Sequence, residues 1–451
     1  MKDYRAFVRA CVGLLLLFLF NTALSACAFP FSFTGTRDAH EVVYWTTATD
    51  PIGTRAQEAV IAAFEKQNPD LHVRIVGMPA QGTGDATSLI TAVRGGSPPD
   101  VYMIDRFTVS QQASIGLLKN IAPEIAKDDH HLARSYLPFA WNEVKYQGGV
   151  YGLPFETDAR AVYYNKDILR QSGIDPALLD PRKGPVTIDT LMALAMKLNR
   201  SDADGNYTRL GLIPWDGEGE HATWALEFGA RYYNQKTCQV TLTEPAIMQT
   251  YQNYARWARE LNYQRVATFL ATYLPPNAPP SQTPFYTGHL AISVDGNWNT
   301  TNLQNYAPTM NYGITYLPIA HRGDKPSTWS GGFAMVMPAG APNVAGGYRL
   351  MRFMTGAQGQ RIYNRVTGHL PTWASLYQDN RLFAGPQRFF QGLMKYSQSR
   401  PALPVGAQMW DAMTSAQQAV LIGNKTPAQA LNEVQTRIQP QMQQYCPFKL
   451  K

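Results

Sequence analysis

The chain has 451 residues, 45% of them hydrophobic and 16% charged, with a formal net charge of +7 at pH 7. This is globular composition, too long for one compact core, and it excludes a fibre, a disordered tail and a disulfide-dense miniprotein. The 35 glycines and 31 prolines fall at scattered turns without a collagen period, and no repeat of about 20 to 50 residues indicates a solenoid or propeller.

Lys2, Arg5 and Arg9 make a basic start, Cys11 to Phe20 is an apolar run, and Leu24-Ser-Ala-Cys27 follows. The run falls short of the roughly 20 residues that span a bilayer, and the tripartite order is that of a secretory signal peptide. Small residues before a cysteine resemble the lipobox of bacterial lipoproteins, which implies that residues 1–26 are removed and that Cys27 is lipidated. An ordinary signal peptide with a chance cysteine is the alternative. Cleavage leaves 425 residues and, by removing three cations and Asp3, lowers the formal charge to +5. So small a surplus, without Lys and Arg clusters interleaved with aromatics, gives no case for a nucleic-acid partner. Cys238 and Cys446 remain in an oxidising compartment, either as one disulfide or as two free thiols.

Residues 27–40 read as a tether from the lipid to the folded part. A β-branched and aromatic run at Glu41–Thr46 predicts a strand, Thr54–Gln67 an amphipathic helix stopped by Asn68-Pro69, and His72–Val76 a second strand. A helix over Ser88–Arg94 and a strand over Asp100–Asp105 follow. The alternation continues with a strand at Ala161–Tyr164 and helices at Lys166–Ser172, Thr187–Asn199 and Pro245–Leu261. Strands at Leu290–Asp295, Tyr312–Leu317 and Gly332–Met337 precede helices at Val344–Thr355 and Pro427–Tyr445. Such alternation predicts an α/β fold with parallel sheets covered on both faces, and ligands bind beyond the carboxyl ends of such strands.

Several segments resemble family 1 extracellular solute-binding proteins, the carbohydrate receptors of bacterial ATP-binding-cassette importers. They are Gly95-Gly-Ser-Pro-Pro-Asp-Val101, Gly116-Leu-Leu118, Tyr151-Gly-Leu-Pro-Phe155, Tyr164-Asn-Lys-Asp-Ile-Leu169, Gly288-His-Leu-Ala-Ile292, Gly296-Asn-Trp298, Tyr312–Pro318, Gly331-Gly-Phe333 and Thr367-Gly-His-Leu-Pro371. Each is weak alone; their order across residues 41 to 445 behind a lipobox is specific. The resemblance implies a two-lobed, periplasmic-binding-protein-like (Venus flytrap) fold with discontinuous lobes joined by hinge strands. Lobe 1 would hold residues 41–158 and 316–368, lobe 2 residues 159–315 and 369–446. It also implies a cofactor-free, non-enzymatic monomer. Such a protein would trap a mono- or oligosaccharide or sugar-like polyol phosphate and deliver it to a permease whose ATPase is a separate chain.

A carbohydrate site needs flat apolar faces for the C–H side of a sugar ring and planar polar groups for its hydroxyls. Trp298, after Gly-Asn at a strand end, matches a sugar-stacking aromatic of similar proteins, and Trp410 resembles a second; core packing is the competing account of both. Trp215 and Trp224 flank an acidic loop whose Glu218 and Glu220 either meet hydroxyls or are simply solvated. Asp105 ends a strand and Asp158 sits at the first crossing between lobes, where turn or capping chemistry explains them equally. Trp45 and Trp329 complete the aromatic candidates; Gly331 and Gly332 would let backbone approach a ligand. Arg365 is a further candidate, which a surface helix explains as well.

No His-Glu-x-x-His or Cys-x-x-Cys points to zinc, and Asp202-Ala-Asp-Gly-Asn206 departs from a calcium loop, with Ile213 where the closing glutamate belongs. There is no Gly-x-Ser-x-Gly elbow and no P-loop. A glycoside hydrolase using two carboxylates, with Glu156 and Asp158 close in sequence, remains open. So does a non-catalytic surface adhesin.

Overall fold

The computed structural model describes residues 38–79 and 86–450. The expected signal segment, Cys27 and residues 28–37 of the expected tether lie outside the described residues. In chain order the fold begins with β1 (Glu41–Thr46), α1 (Pro51–Gln67), β2 (His72–Gly77), α2 (Thr87–Arg94), β3 (Val101–Asp105), β4 (Gly152–Pro154), β5 (Glu156–Thr157) and β6 (Arg160–Asn165). It continues with α3 (Ile188–Leu198), α4 (His221–Glu227), α5 (Pro245–Glu260), β7 (Ile292–Gly296), α6 (Asn299–Tyr306), β8 (Tyr312–Thr315), β9 (Thr328–Ser330) and β10 (Phe333–Val336). Last come α7 (Val344–Thr355), α8 (Ala357–Thr367), β11 (Leu370–Pro371), β12 (Ser397–Ser399), α9 (Gly406–Leu421) and α10 (Pro427–Gln443). Local chemistry explains the boundaries. Asp50 starts α1 by accepting from the N–H groups of Ile52 and Gly53, with Pro51 in the first turn, and Thr426 and Gln429 close a capping box on α10.

The first lobe is built on a five-stranded sheet of order β2-β1-β3-β10-β4. Buried Ala56, Val60 and Phe64, spaced four apart on α1, pack with Tyr44, Met103 and Leu350 in its core. The second lobe has a smaller sheet, β7-β6-β8, between two apolar clusters, one containing Trp224, Trp257 and Leu431, the other Tyr163, Phe269 and Phe390. Within these two sheets only β1, β2 and β3 pair in parallel; β10 is antiparallel to both its neighbours, and the second lobe's sheet is antiparallel throughout, while outside them the short strands β9 and β12 pair in parallel. The expectation of parallel sheets is corrected accordingly. The cause is topological. β3 runs toward the cleft and ends there at Asp105, whereas β10 starts at the cleft, where the returning chain arrives, and Phe333 pairs with Asp105.

The chain crosses between the lobes at three adjacent places. The β5 and β11 segments pair, Leu370 opposite Thr157, while the Thr157 hydroxyl donates to the Gly331 carbonyl at 3.0 Å. The Thr328 hydroxyl both accepts from the Arg160 N–H and donates to the Arg160 carbonyl, each at 2.9 Å. Residues 316–330, assigned above to the first lobe, pack instead with the second: Leu317 and Trp329 sit in its core cluster and Ile319 bridges Thr187. These contacts place the return crossing at Gly331-Gly332.

Cys238 and Cys446 form a disulfide, Cα to Cα 6.0 Å, which anchors the chain end to the second lobe. Just beyond it the Phe448 carbonyl accepts from the Tyr233 hydroxyl at 2.7 Å, and the Phe448 ring stacks on Tyr146 of the first lobe at 6.4 Å. The cross-link joins residues separated by 208 positions, and closing so long a loop removes much entropy from the unfolded chain. A Cys238→Ser/Cys446→Ser variant is therefore predicted to lose about 2–4 kcal/mol of stability; urea denaturation curves matching the wild type would contradict this.

Candidate ligand-binding site

Between the lobes lies a cavity of about 490 Å³. Asp105, Gly332 and Phe333 face it from the first lobe; Arg160, Glu218, Glu220, Trp298, Trp329 and Trp410 face it from the second. Asp158 and His369 line it at the crossings. The aromatic wall has specific local causes. Gly296 is required because a Cβ there would lie 2.1 Å from the Trp298 ring, which folds back over its backbone. Trp298 stacks on His369 with ring centres 5.4 Å apart. The Trp329 indole N–H donates to the Thr223 hydroxyl at 2.8 Å, and Trp410 packs on His221 at 4.5 Å.

Two arginines that the sequence reading missed organise the charges. Arg160 pairs with Asp158 and, at 2.9 Å, with Glu218, while its guanidinium lies 3.5 Å from the centre of the Trp329 ring. Arg400 reaches both carboxylate oxygens of Asp105 at 2.7 Å, which is an ion pair between the lobes. Its guanidinium also packs 3.9 Å from the Phe107 ring centre and 4.7 Å from that of Trp410. Arg160 is two residues from Asp158, but nothing in Ser399-Arg400-Pro401 marks the other cation.

Buried ionisable groups are shifted in opposite senses. Burial, reinforced by the charge of Asp158, pushes Glu156 up to about 8; burial and then Glu218 do the same to Glu220. Asp295 also rises to about 8 through burial, with Glu218 adding to it. Burial pushes His369 down to about 4.

Of the residues selected from sequence, Asp105, Asp158, Glu218, Glu220, Trp298, Trp329, Gly332 and Trp410 come together around the cavity. Five do not. Trp45 lies within β1, edge-on to Tyr102 at 5.7 Å. Trp215 is packed against Tyr263. Trp224 is 0% exposed in the core, its indole N–H donating to the carbonyls of Pro214 and Gly219, so it props the loop that carries the two glutamates. Gly331 sits behind the wall, its N–H given to Asp158 at 2.6 Å and its carbonyl to Arg106 and Thr157. Arg365 is exposed on α8.

A two-lobed fold whose cleft is lined by indoles and paired charges defines a solute-binding protein. Residues 48–361 match the model of bacterial extracellular solute-binding proteins, and the chain belongs to that family. Among curated relatives, the maltotriose-binding protein of Pyrococcus abyssi is 23% identical over 74% of this chain and 68% of its own. A maltooligosaccharide transporter solute-binding lipoprotein of Streptococcus pneumoniae is 22% identical over 86% of each chain. Among solved structures, CpMnBP1 with mannobiose bound superposes with a TM-score of 0.77 at 21% identity, covering 88% of this chain and 98% of that one. The GacH receptor of Streptomyces glaucescens gives 0.71 at 21%, covering 89% and 98%. These likenesses establish the fold.

These shifts imply a pH dependence. Glu156, Glu220 and Asp295 stay protonated in the folded protein up to about 8, while the unfolded chain releases those protons near 4, so stability falls as pH rises through that range. His369 acts oppositely: the unfolded chain takes up its proton first, near 6.5, so stability is lost as pH falls from there toward 4. Between 6.5 and 8 the acids alone act, and denaturant midpoints are predicted to decline across that interval. Glu220→Gln should flatten the decline; an unaltered slope would exclude Glu220 as a contributor.

Proposed function

We propose that this protein captures a carbohydrate in the interlobe cavity and presents it to the permease of an ATP-binding-cassette importer. The observation that carries the reading is the pairing, around one cavity, of indole walls with planar charged groups contributed by both lobes. Indole faces suit the C–H side of a sugar ring, and carboxylates and guanidinium groups suit its hydroxyls. Relatives named for maltotriose and maltooligosaccharide binding support it. Cys27 carries the lipid that anchors the mature chain, a monomer, on the extracytoplasmic side of the cell membrane, and the ATPase is a separate chain.

Capture rather than turnover is the function. Glu156 is 1% exposed and does not line the cavity, and its Oε1 accepts from the Phe333 N–H at 2.8 Å, which removes it from a hydrolytic pair with Asp158. Appearance of cleaved products from oligosaccharides incubated with purified protein would reverse that conclusion.

Titration calorimetry against mono-, di- and oligosaccharides tests the reading directly. Trp298, half-buried on the cavity wall, is predicted to contribute about 1.4 kcal/mol or more to binding, so Trp298→Ala weakens the best ligand at least about tenfold. Unchanged affinity in a variant that melts like the wild type would remove Trp298 from the site.

A further inference from the structure

The charges around the cavity do not balance. Carboxylates of Asp50, Asp105, Asp158 and Glu218 line it, together with Glu220, which burial and then Glu218 keep protonated up to about 8, against the guanidinium groups of Arg160 and Arg400. Among the described residues the remaining titratable groups in the lining are His369, neutral at pH 7 because burial holds it near 4, and Tyr363, which burial raises far above 10. Arg400 is engaged by Asp105, and Asp50 caps α1. Arg160 has to serve Asp158 and Glu218 together. Glu220 has no ion pair and no side-chain hydrogen bond among the described residues.

An independent observation lies at Asp158. It is 4% exposed, and its Oδ1 takes both the Gly331 N–H and Arg160. Asp158 lines the cavity, and its Oδ2 accepts from no described residue. That oxygen is accessible rather than sealed off, so it is open to a donor arriving in the cavity. The walls suit a cation as well: the Trp329 and Trp410 faces already hold guanidinium groups, at 3.5 and 4.7 Å.

We infer that the carbohydrate bound here carries a protonated amine, and that its ammonium group is received by Asp158, Glu218 and Glu220. This rests on the carbohydrate-capture reading and adds the ligand's charge to it. An ammonium group supplies several donors to oxygens that lack them and offsets the surplus carboxylates. Acetylating the amine removes the charge, and a uronate or sugar phosphate would add repulsion. Glu220, pushed up to about 8 by burial and Glu218, would ionise beside an incoming cation, so binding at pH 7 releases a proton.

The experiment is calorimetry on the full mature chain at pH 7 with matched ligands: glucosamine against glucose, and glucosamine dimers and trimers against their N-acetylated and cello-oligosaccharide counterparts. The amines are expected to bind at least tenfold tighter than either neutral form, with a binding enthalpy that varies with buffer ionisation enthalpy. In Glu220→Gln the preference should shrink to threefold or less, with a thermal melt confirming the fold; the wild-type comparison stands without that variant. Neutral sugars binding as tightly as the amines would overturn the inference while leaving carbohydrate capture intact. No binding by these sugars while another oligosaccharide of the broader series binds would overturn the inference alone, and no binding by any sugar of either series would overturn both.

Discussion

Arg106 is completely buried, pairs with Glu143, and donates to the carbonyls of Glu156 at 2.7 Å and Gly331 at 2.5 Å. One guanidinium thus pins the outgoing crossing of the chain to the returning one. Removing an arginine from water is expensive unless every donor finds an acceptor, and here the acceptors are an ion-pair partner and the backbone of both crossings. Gly332 completes the joint. Its φ is +116°, and a Cβ would stand 2.4 Å from the Glu156 carbonyl and 2.8 Å from the Arg106 guanidinium. Asp158 then takes both the Gly331 N–H and Arg160 on its Oδ1. The positions of Arg160, Trp329 and Asp158 at the cleft all follow from this joint.

Legibility from sequence tracked how local the determining physics was. The spacing of Ala56, Val60 and Phe64 and the strand run at Glu41–Thr46 depend on period alone, and those elements fall where expected. By contrast α6, Asn-Thr-Thr-Asn-Leu-Gln-Asn-Tyr, buries a single large apolar residue, Leu303, so no amphipathic stripe announces it. Helix α9 is buried at ten of its sixteen positions, including Ala407, Met409, Trp410, Ala412 and Met413, which blurs its period from the other direction. Strand direction was misread because it depends on where the chain returns from the second lobe, a long-range fact that no local pattern encodes. At the site, residues beside a recognisable turn were legible: Trp298 after Gly296-Asn297, Glu218 and Glu220 in their acidic loop. Arg400 lies 295 positions from the Asp105 it pairs with, and only the folded chain brings them together.

Tryptophans were selected as open platforms, yet most of them are spoken for. Trp224 and Trp329 are 0% and 1% exposed, and each spends its indole N–H on the protein. Trp329 also has Arg160 against its ring. A large aromatic near a cleft therefore acts in two ways. Trp298, half-buried on the wall with Arg160 5.4 Å from its ring centre, still shows part of a face, while Trp329 and Trp410 fix the guanidinium groups that present hydrogen bonds. Stacking on an indole holds a long, flexible arginine in one orientation, which lowers the entropy lost when a ligand is bound.

A ligand can shift a two-state equilibrium only through contacts that differ between the states. Part of that difference is built into the chain. The Arg400–Asp105 pair joins the lobes directly, and Phe107, from the first lobe, packs on Trp410 of the second with ring centres 5.6 Å apart. Arg400 is 5% exposed and surrounded by rings, so separating the lobes would leave a desolvated cation without its carboxylate, a state that charges penalise heavily. The protein therefore supplies some of the free energy of closure, and a solute has to supply only the remainder. On the amine proposal that remainder comes from the donors a solute brings to Asp158 and Glu220, added to the face it covers on Trp298.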